Sequence, residues 1–418
     1  MTPTNATSRI RVTSRGFHTG DDVPFVPFGV NYYRPGTGWA PKVWRQFDPD
    51  ATRDDFARLR ALGANCVRVF LTFDSFCPEM GQIDPVGLGK FEQFLDLADE
   101  AGLYVHPTGP DHWEGLPVWI TQTCGGDRYA DETFLQALEA FWHDFAARFA
   151  DRPTIFAYDL LNEPSVPWDT PALQALWGGP PPEPVPGAPG LLAYQHLREQ
   201  VATTWTRRQV DAIRAVSPQT PITVGLIQWS VPAMLPSVRA YAAYRPAHIA
   251  PLLDFLEIHF YPLAPFLTYE PGQVDSNLLY LETLLREVIG FCKPVVIAEF
   301  GWYGGGSFSA HPPASEEDQA AWCSTLVEHT AGLACGWLNW GFRDQPEARD
   351  VSVLTGLLTP QGDLKAWGRR FAELASTVAA AHCGAKSLPE EPRLDWDACI
   401  TDPEAGEAFR IAYAERRP

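Results

Sequence analysis

The stretch FAYDLLNEPS, Phe156 to Ser165, runs five apolar residues (Phe156, Ala157, Tyr158, Leu160, Leu161) almost directly into an amide, a carboxylate and a proline. Glutamate is depleted in strands, and Pro164 has no N–H with which to continue a sheet ladder. An apolar strand that stops on Asn162-Glu163-Pro164 therefore carries its glutamate for a reason other than strand stability.

Seven further apolar runs share the length of this one. Before it come PFVPFGVNYY (24–33), ANCVRVFLTF (64–73) and GLYVHPTG (102–109), and the run itself extends over TIFAYDLLNE (154–163). After it come PITVGLIQW (221–229), LDFLEIHFYP (253–262), KPVVIAEFGW (293–302) and LACGWLNWGF (333–342). Runs this apolar are buried on both faces, as parallel strands are. The segments between them have a helical period. DATRDDFARLRALG places Phe56, Leu59 and Leu62 on one side between a capping Asp50 and Gly63. DETFLQALEAFWHDFAARFAD places Leu135, Leu138, Phe141, Phe145 and Phe149 on one stripe. Eight strands alternating with helices predict an α/β fold, a single-domain (β/α)8 TIM barrel. A doubly wound sheet is the competitor, but the turn after the first run, FGVNYYRPGTG, lacks its phosphate-binding glycine pattern.

The barrel is expected over residues 1–382. Residues 164–195, rich in Pro and Gly, are expected to be a long rim loop at the mouth after the fourth strand, and 383–418 a C-terminal tail packed on the barrel. Trp168 and Trp177 on that loop are expected to wall off one end of a cleft, leaving a pocket for chain ends and hence exo action.

Composition excludes several partners. A formal net charge of −19 disfavours nucleic acid and anionic membranes, which select basic patches. No run of roughly 20 apolar residues predicts a transmembrane helix. The N-terminal sequence lacks the apolar core of a signal peptide, so a cytoplasmic protein is expected, or a trimmed secreted one. The 8 cysteines are scattered without a CxxC pair, and free thiols are expected. No His, Asp or Glu spacing implies a metal, and there is neither a GxSxG elbow nor a Walker loop, so no cofactor is expected. The 15 Trp residues suit the apolar faces of sugar rings, although a large core accounts for part of them.

In a barrel of this kind chemistry gathers where strands end. Glu163 ends the fourth run and Glu299, in IAEFGW, the seventh, so two glutamates meet at one mouth. One protonated and one ionised carboxyl are the equipment for cleaving a glycosidic bond.

The chain here resembles a family. Asn162-Glu163-Pro164, EIHFYP (257–262) and AEFGW (298–302), in this order on strands four, six and seven, resemble the clan A retaining glycoside hydrolases of family 5, which include cellulases, mannanases and β-mannosidases. The resemblance implies Glu163 as general acid/base, Glu299 as nucleophile and Asn162 as the amide holding the substrate's 2-hydroxyl. It implies Arg68, in CVRVF, as the arginine orienting the nucleophile. His259 and Tyr261 become the pair flanking the carboxylates, and Trp340 the aromatic floor under the sugar. Core packing is the competing reading for Arg68, His259 and Trp340. After strand three many members carry a substrate-binding histidine. Here the segment reads HPTGPDHWEG, where His106 lies nearer the strand interior, and His112 with Trp113 is assigned that role. Trp302 is a further pocket candidate, as are Trp229 and Asn31.

The resemblance implies a retaining β-glycoside hydrolase without cofactor, acting on an oligosaccharide or glycoside, with β-mannosides favoured because the PTGPDHW turn resembles the mannan-active branch. A β-glucan endoglucanase or β-glucosidase and a transglycosylase are the alternatives. A non-catalytic sugar-binding barrel would be expected to have lost one carboxylate. Oligomeric state is not readable.

Overall fold

Short strands open the chain before the barrel begins. In the computed structural model, which describes residues 7–36, 43–262, 274–302, 315–348, 351–379, 381–382 and 384–416, β1 (Arg11–Thr13), β2 (Gly16–His18) and β3 (Pro24–Phe25) form a small antiparallel sheet. Then come the eight barrel strands. They are β4 (Phe28–Asn31), β5 (Cys66–Thr72), β6 (Tyr104–Asp111), β7 (Tyr158–Asn162), β8 (Ile222–Leu226), β9 (Leu256–Phe260), β10 (Val295–Phe300) and β11 (Trp337–Asn339). Each pairs in parallel with the next, and β11 closes onto β4. The expected (β/α)8 barrel is the observed fold.

The first apolar run is two strands rather than one. Pro27 interrupts it, so Pro24–Phe25 stays with the small sheet and Phe28–Asn31 enters the barrel. The small sheet has a purpose in the packing. It carries Phe17 and Phe25 under the barrel, where Phe17 meets Phe156 and Phe255 edge-on at 5.0 and 5.1 Å, and Phe25 meets Tyr104 at 4.7 Å. With Cys66, Val296, Ala298 and Leu338 these rings form an apolar plug. A second, larger core fills the space between strands and outer helices.

The outer helices follow the predicted stripes. All five residues assigned to the stripe of Glu132–Phe149 are buried, and Asp131 caps it by accepting the N–H of Phe134. The helix Pro49–Ala61 starts two residues earlier than expected. Its cap is Asp48, whose carboxylate takes the N–H groups of Asp50 and Ala51, because Pro49 is suited to the first helical position.

Residues 164–195 contain more helix than a rim loop would. Pro171–Trp177 is helical, and the helix Leu191–Arg214 begins inside the range. Trp168 and Trp177 pack on Tyr194 at 5.1 and 5.2 Å in a satellite cluster with Leu191 and Val238. Of the C-terminal residues, Trp396–Cys399 and Pro403–Arg416 are helical. The Trp396 indole N–H donates to Glu287 at 2.9 Å, and the Arg286 guanidinium lies 5.0 Å over the Phe409 ring. Gly406 packs so closely that a Cβ there would stand 2.5 Å from the Pro232 carbonyl. The seven described cysteines are free thiols; Cys383 lies outside the described residues. No described helix is long and apolar enough to cross a membrane.

Candidate active site

The site is built around one arginine. Arg68 lies mid-strand in β5 and is fully buried, and all five of its N–H groups are used. Nη1 donates to Glu299 Oε1 at 2.6 Å and to Asn31 Oδ1 at 2.7 Å. Nη2 donates to Asp159 Oδ2 at 2.8 Å and to Asn162 Oδ1 at 2.9 Å, and Nε to Asp159 Oδ2 at 3.2 Å. Asn31 is anchored in turn by donating to the Ala298 carbonyl at 2.9 Å. Asp159 Oδ1 takes the Gly225 N–H at 2.7 Å. The space for this meeting comes from Gly225, where a Cβ would stand 2.9 Å from Asp159 Oδ2 and 3.0 Å from both Arg68 Nη2 and His259 Nε2.

Glu299 reaches the arginine through a bulge. The register between β10 and β9 shifts between Ile297 and Glu299, leaving Ala298 in the lower plug while Glu299 faces His259. The Tyr261 hydroxyl donates to Glu299 Oε2 at 3.0 Å, and Gln228 Oε1 holds the Tyr261 backbone N–H at 3.1 Å. Both carboxylate oxygens of Glu299 are thus bonded, and its orientation is fixed.

Glu163 stands one residue beyond β7 with φ +45°, a left-handed backbone that costs a side-chain-bearing residue about 1–3 kcal/mol. Its N–H donates to the Gly225 carbonyl at 2.8 Å, which helps hold the strained turn. His259 Nδ1 lies 3.1 Å from Glu163 Oε1 and 3.5 Å from Glu299 Oε1. Carboxylate oxygens of the two glutamates come within 4.8 Å of each other. Retaining glycosidases hold their carboxyls about 5–5.5 Å apart and inverting ones about 6.5–9.5 Å, the wider gap seating a water.

The electrostatics separate the two carboxyls. Burial raises Glu163 to about 7, against the pull of Arg68 and with help from Asp111. Burial drives Glu299 upward too, opposed by His259 and by Arg68. The direct bond from Arg68 belongs to Glu299, so its ionised form is the one supplied with donors. Burial lowers His259 to about 4 and keeps the imidazole neutral. With two carboxylates at Nδ1 and no hydrogen bond at Nε2 among the described residues, the proton belongs on Nδ1.

A cavity of about 200 Å³ opens over the carboxylates, lined by Trp113, Asn162, Glu163, Ile227, Gln228, Trp229, Tyr261, Glu299, Trp340 and Val351. Since Asn162 Oδ1 is tied to Arg68, its NH2 group faces this space. The Trp340 indole N–H donates to Ser352 Oγ at 2.8 Å, which holds the ring against Tyr33 at 5.2 Å. The other sequence candidates lie outside the wall. His112 sits on the rim with its side chain 48% exposed, stacked on Trp113 at 4.8 Å and bonded to Asp111. Trp302 is buried in the main core. Asn31 acts through Arg68. Trp168 and Trp177 belong to their satellite cluster, so the expected wall is provided instead by Trp113, Trp229 and Trp340.

Sequence reasoning missed Asp159, Gln228 and a buried pair below Arg68, His106 with Glu257. Asp159 and Glu257 are single charges inside apolar strands, and Glu257 sits two residues before His259, hence on the same interior face. Two groupings have metal-ligand geometry, His106/Asp159/Glu257 and Glu163/His259/Glu299. The Arg68 guanidinium already stands 2.8 Å from Asp159 and 2.6 Å from Glu299, so the cation of both groupings is part of the chain.

The family model described as cellulase, glycosyl hydrolase family 5, matches residues 24–345. A structure of a family 5 subfamily 18 enzyme from Streptomyces cattleya, in complex with Manβ1-4GlcNAc, superposes with a TM-score of 0.68 at 21% identity, covering 94% of this chain and 92% of that one. An exo-β-1,4-mannosidase from an Opitutaceae bacterium, strain TAV5, gives 0.65 at 22% identity and covers 87% of this chain and 61% of its own. At such identities the likeness is one of fold. Among curated proteins, β-galactosidase A of Aspergillus oryzae is 32% identical over 108 residues, 24% of this chain. That segment spans only 11% of the galactosidase.

Proposed function

This chain belongs to glycosyl hydrolase family 5, a family of clan A retaining glycoside hydrolases, and on that premise we propose an exo-acting β-mannosidase in which Glu299 is the nucleophile and Glu163 the acid/base. The observation that carries the roles is the pairing of a carboxyl at about 7 with an arginine-bound carboxylate, oxygens within 4.8 Å. Glu299 attacks the anomeric carbon as the bond to the leaving oxygen breaks, and Glu163 gives its proton to that oxygen. Water then attacks the same carbon while Glu163 takes its proton, and the ester bond breaks with its electron pair returning to Glu299. The neutral His259 donates from Nδ1 to whichever carboxylate is charged. The Asn162 NH2 group donates to the 2-hydroxyl, a bond that strengthens as positive charge develops on the ring.

The sugar and the mode of attack are read from the cavity and from the neighbours. A cavity of about 200 Å³ walled by three tryptophans has room for a terminal ring, well below the roughly 300–1,000 Å³ of sites for larger ligands. The mannoside reading is supported by neighbours whose titles name Manβ1-4GlcNAc and exo-β-1,4-mannosidase action. A β-galactoside is the second reading, favoured by the Aspergillus segment. A panel of aryl β-glycosides, with the anomer of the first product followed by NMR, decides between them. Fastest release from the β-mannoside with β-mannose formed first supports the proposal. Fastest release from the galactoside, or an inverted product, overturns it.

A further inference from the structure

Beneath the Arg68 fork lies a second ionisable pair that the mechanism above does not use. His106 on β6 points into the barrel and is fully buried, with Phe156 at 5.3 Å and Phe255 at 6.3 Å sealing it from below. Its Nδ1 is 2.8 Å from the Ala157 carbonyl, an acceptor only, so Nδ1 carries a proton. Its Nε2 is 2.7 Å from Glu257 Oε1, and one proton lies between them. The facing groups are Glu257 and His259 from β9, Asp159 from β7 and Arg68 from β5, with Cys66 close to Glu257. Burial opposes charge on the imidazole, but Glu257, reinforced by Asp159, outweighs it, and the net direction is upward.

Ligand atoms of His106, Asp159 and Glu257 lie within 4.8 Å of one another. Two carboxylates thus stand close together in a dry interior, and Glu257 Oε2 has no hydrogen-bond partner among the described residues. Without His106, Glu257 would keep neither oxygen bonded in this interior and would turn to the groups beside it. Beside it stands Asp159, the carboxylate that holds Arg68 by two bonds.

We propose that His106 is a positioning residue for the nucleophile: by clamping Glu257 it keeps that carboxyl off Asp159, leaving Asp159 to aim Arg68 at Glu299. The proposal rests on the nucleophile role given to Glu299 above. It separates the pair from an ordinary buried ion pair, whose loss lowers stability alone.

The test compares His106→Leu, Glu257→Gln and the double variant His106→Leu/Glu257→Leu with the parent, on the aryl glycoside the parent cleaves best. In His106→Leu, kcat should fall roughly tenfold or more with little change in KM, because a misaimed contact acts on the transition state. The acid limb of the kcat–pH profile should rise by about one unit, since Glu299 loses part of the charge that favours its ionised form. Glu257→Gln, of unchanged shape, should move the same limb in the same direction by less, and serves if His106→Leu does not fold. In the double variant the competitor for Asp159 is gone, and the acid limb should return to that of the parent. Unchanged kcat and acid limb in both single variants, or a double variant no closer to the parent than His106→Leu, overturns the proposal. A second readout is free of the functional reading. The Arg68 Nε–H resonance in selectively labelled protein should exchange faster with water in His106→Leu than in the parent. A parent that cleaves no glycoside refutes the functional reading, whereas an unchanged Arg68 resonance refutes the positioning.

Discussion

The lower and upper halves of the barrel interior are lined by the same chain segments and differ in every chemical respect. Cys66, Phe156, Phe255 and Val296 fill the lower half with apolar side chains closed off by Phe17 and Phe25. Two or three residues further along, the same segments present Arg68, Asp159, Glu257 and Glu299, all buried, with Arg68 bonded to Asp159 and Glu299 and with Glu257 bonded to His106. The lower half gains from burial in proportion to apolar area. The upper half loses hydration and recovers it only because the arginine satisfies two carboxylates and two amides at once. Stability is thus concentrated below, and the strained Glu163 turn with its raised carboxyl stands above.

The largest effect should come from the upper half. Glu299→Gln should remove turnover to below detection on every glycoside while leaving the melting temperature within a few degrees of the parent. A variant that lost fold and activity together would break the division between the halves. Arg68→Lys should come next. An ammonium cannot reproduce the five-donor fork, and a buried pair broken from one side costs roughly 3–5 kcal/mol. Both denaturant midpoint and kcat should drop.

Phe255→Ala should do the reverse of Glu299→Gln. Emptying the plug should cost about 3–5 kcal/mol in chemical denaturation, with kcat of the folded fraction near that of the parent. If kcat fell as steeply as stability, the two halves would be one mechanical unit.

The smallest effect is a pH dependence. Glu163 is raised from 4.5 to about 7, so between these values the folded chain binds more protons than the unfolded one. Its contribution to stability therefore falls as pH rises through that window. Glu163→Gln should melt higher than the parent above about pH 7, and the gain should vanish towards pH 4.5. For the parent, kcat/KM should lose its basic side at about 7, as Glu163 gives up its proton, and its acid side above 4.5, where Glu299 takes one up.

Much of this was legible from residues alone. The eight apolar runs correspond to the eight barrel strands, and the two glutamates that end the fourth and seventh meet at one mouth. The small sheet was not legible, because strands of two or three residues have no period to detect. Asp159 and Glu257 were visible as charges in apolar strands. Their partners sit 91 and 151 residues away in sequence, and only barrel closure brings them together. Trp168 and Trp177 misled because a Pro-rich segment that follows the mouth in sequence folds into its own cluster beside it.

The central claim is that surroundings give two identical side chains opposite roles, and azide rescue tests it most directly. With an activated aryl glycoside, Glu163→Ala should still form the glycosyl-enzyme, and added azide should release a glycosyl azide of retained β configuration. Glu299→Ala should yield no retained azide at any concentration. A retained azide from Glu299→Ala, with none from Glu163→Ala, would contradict the account.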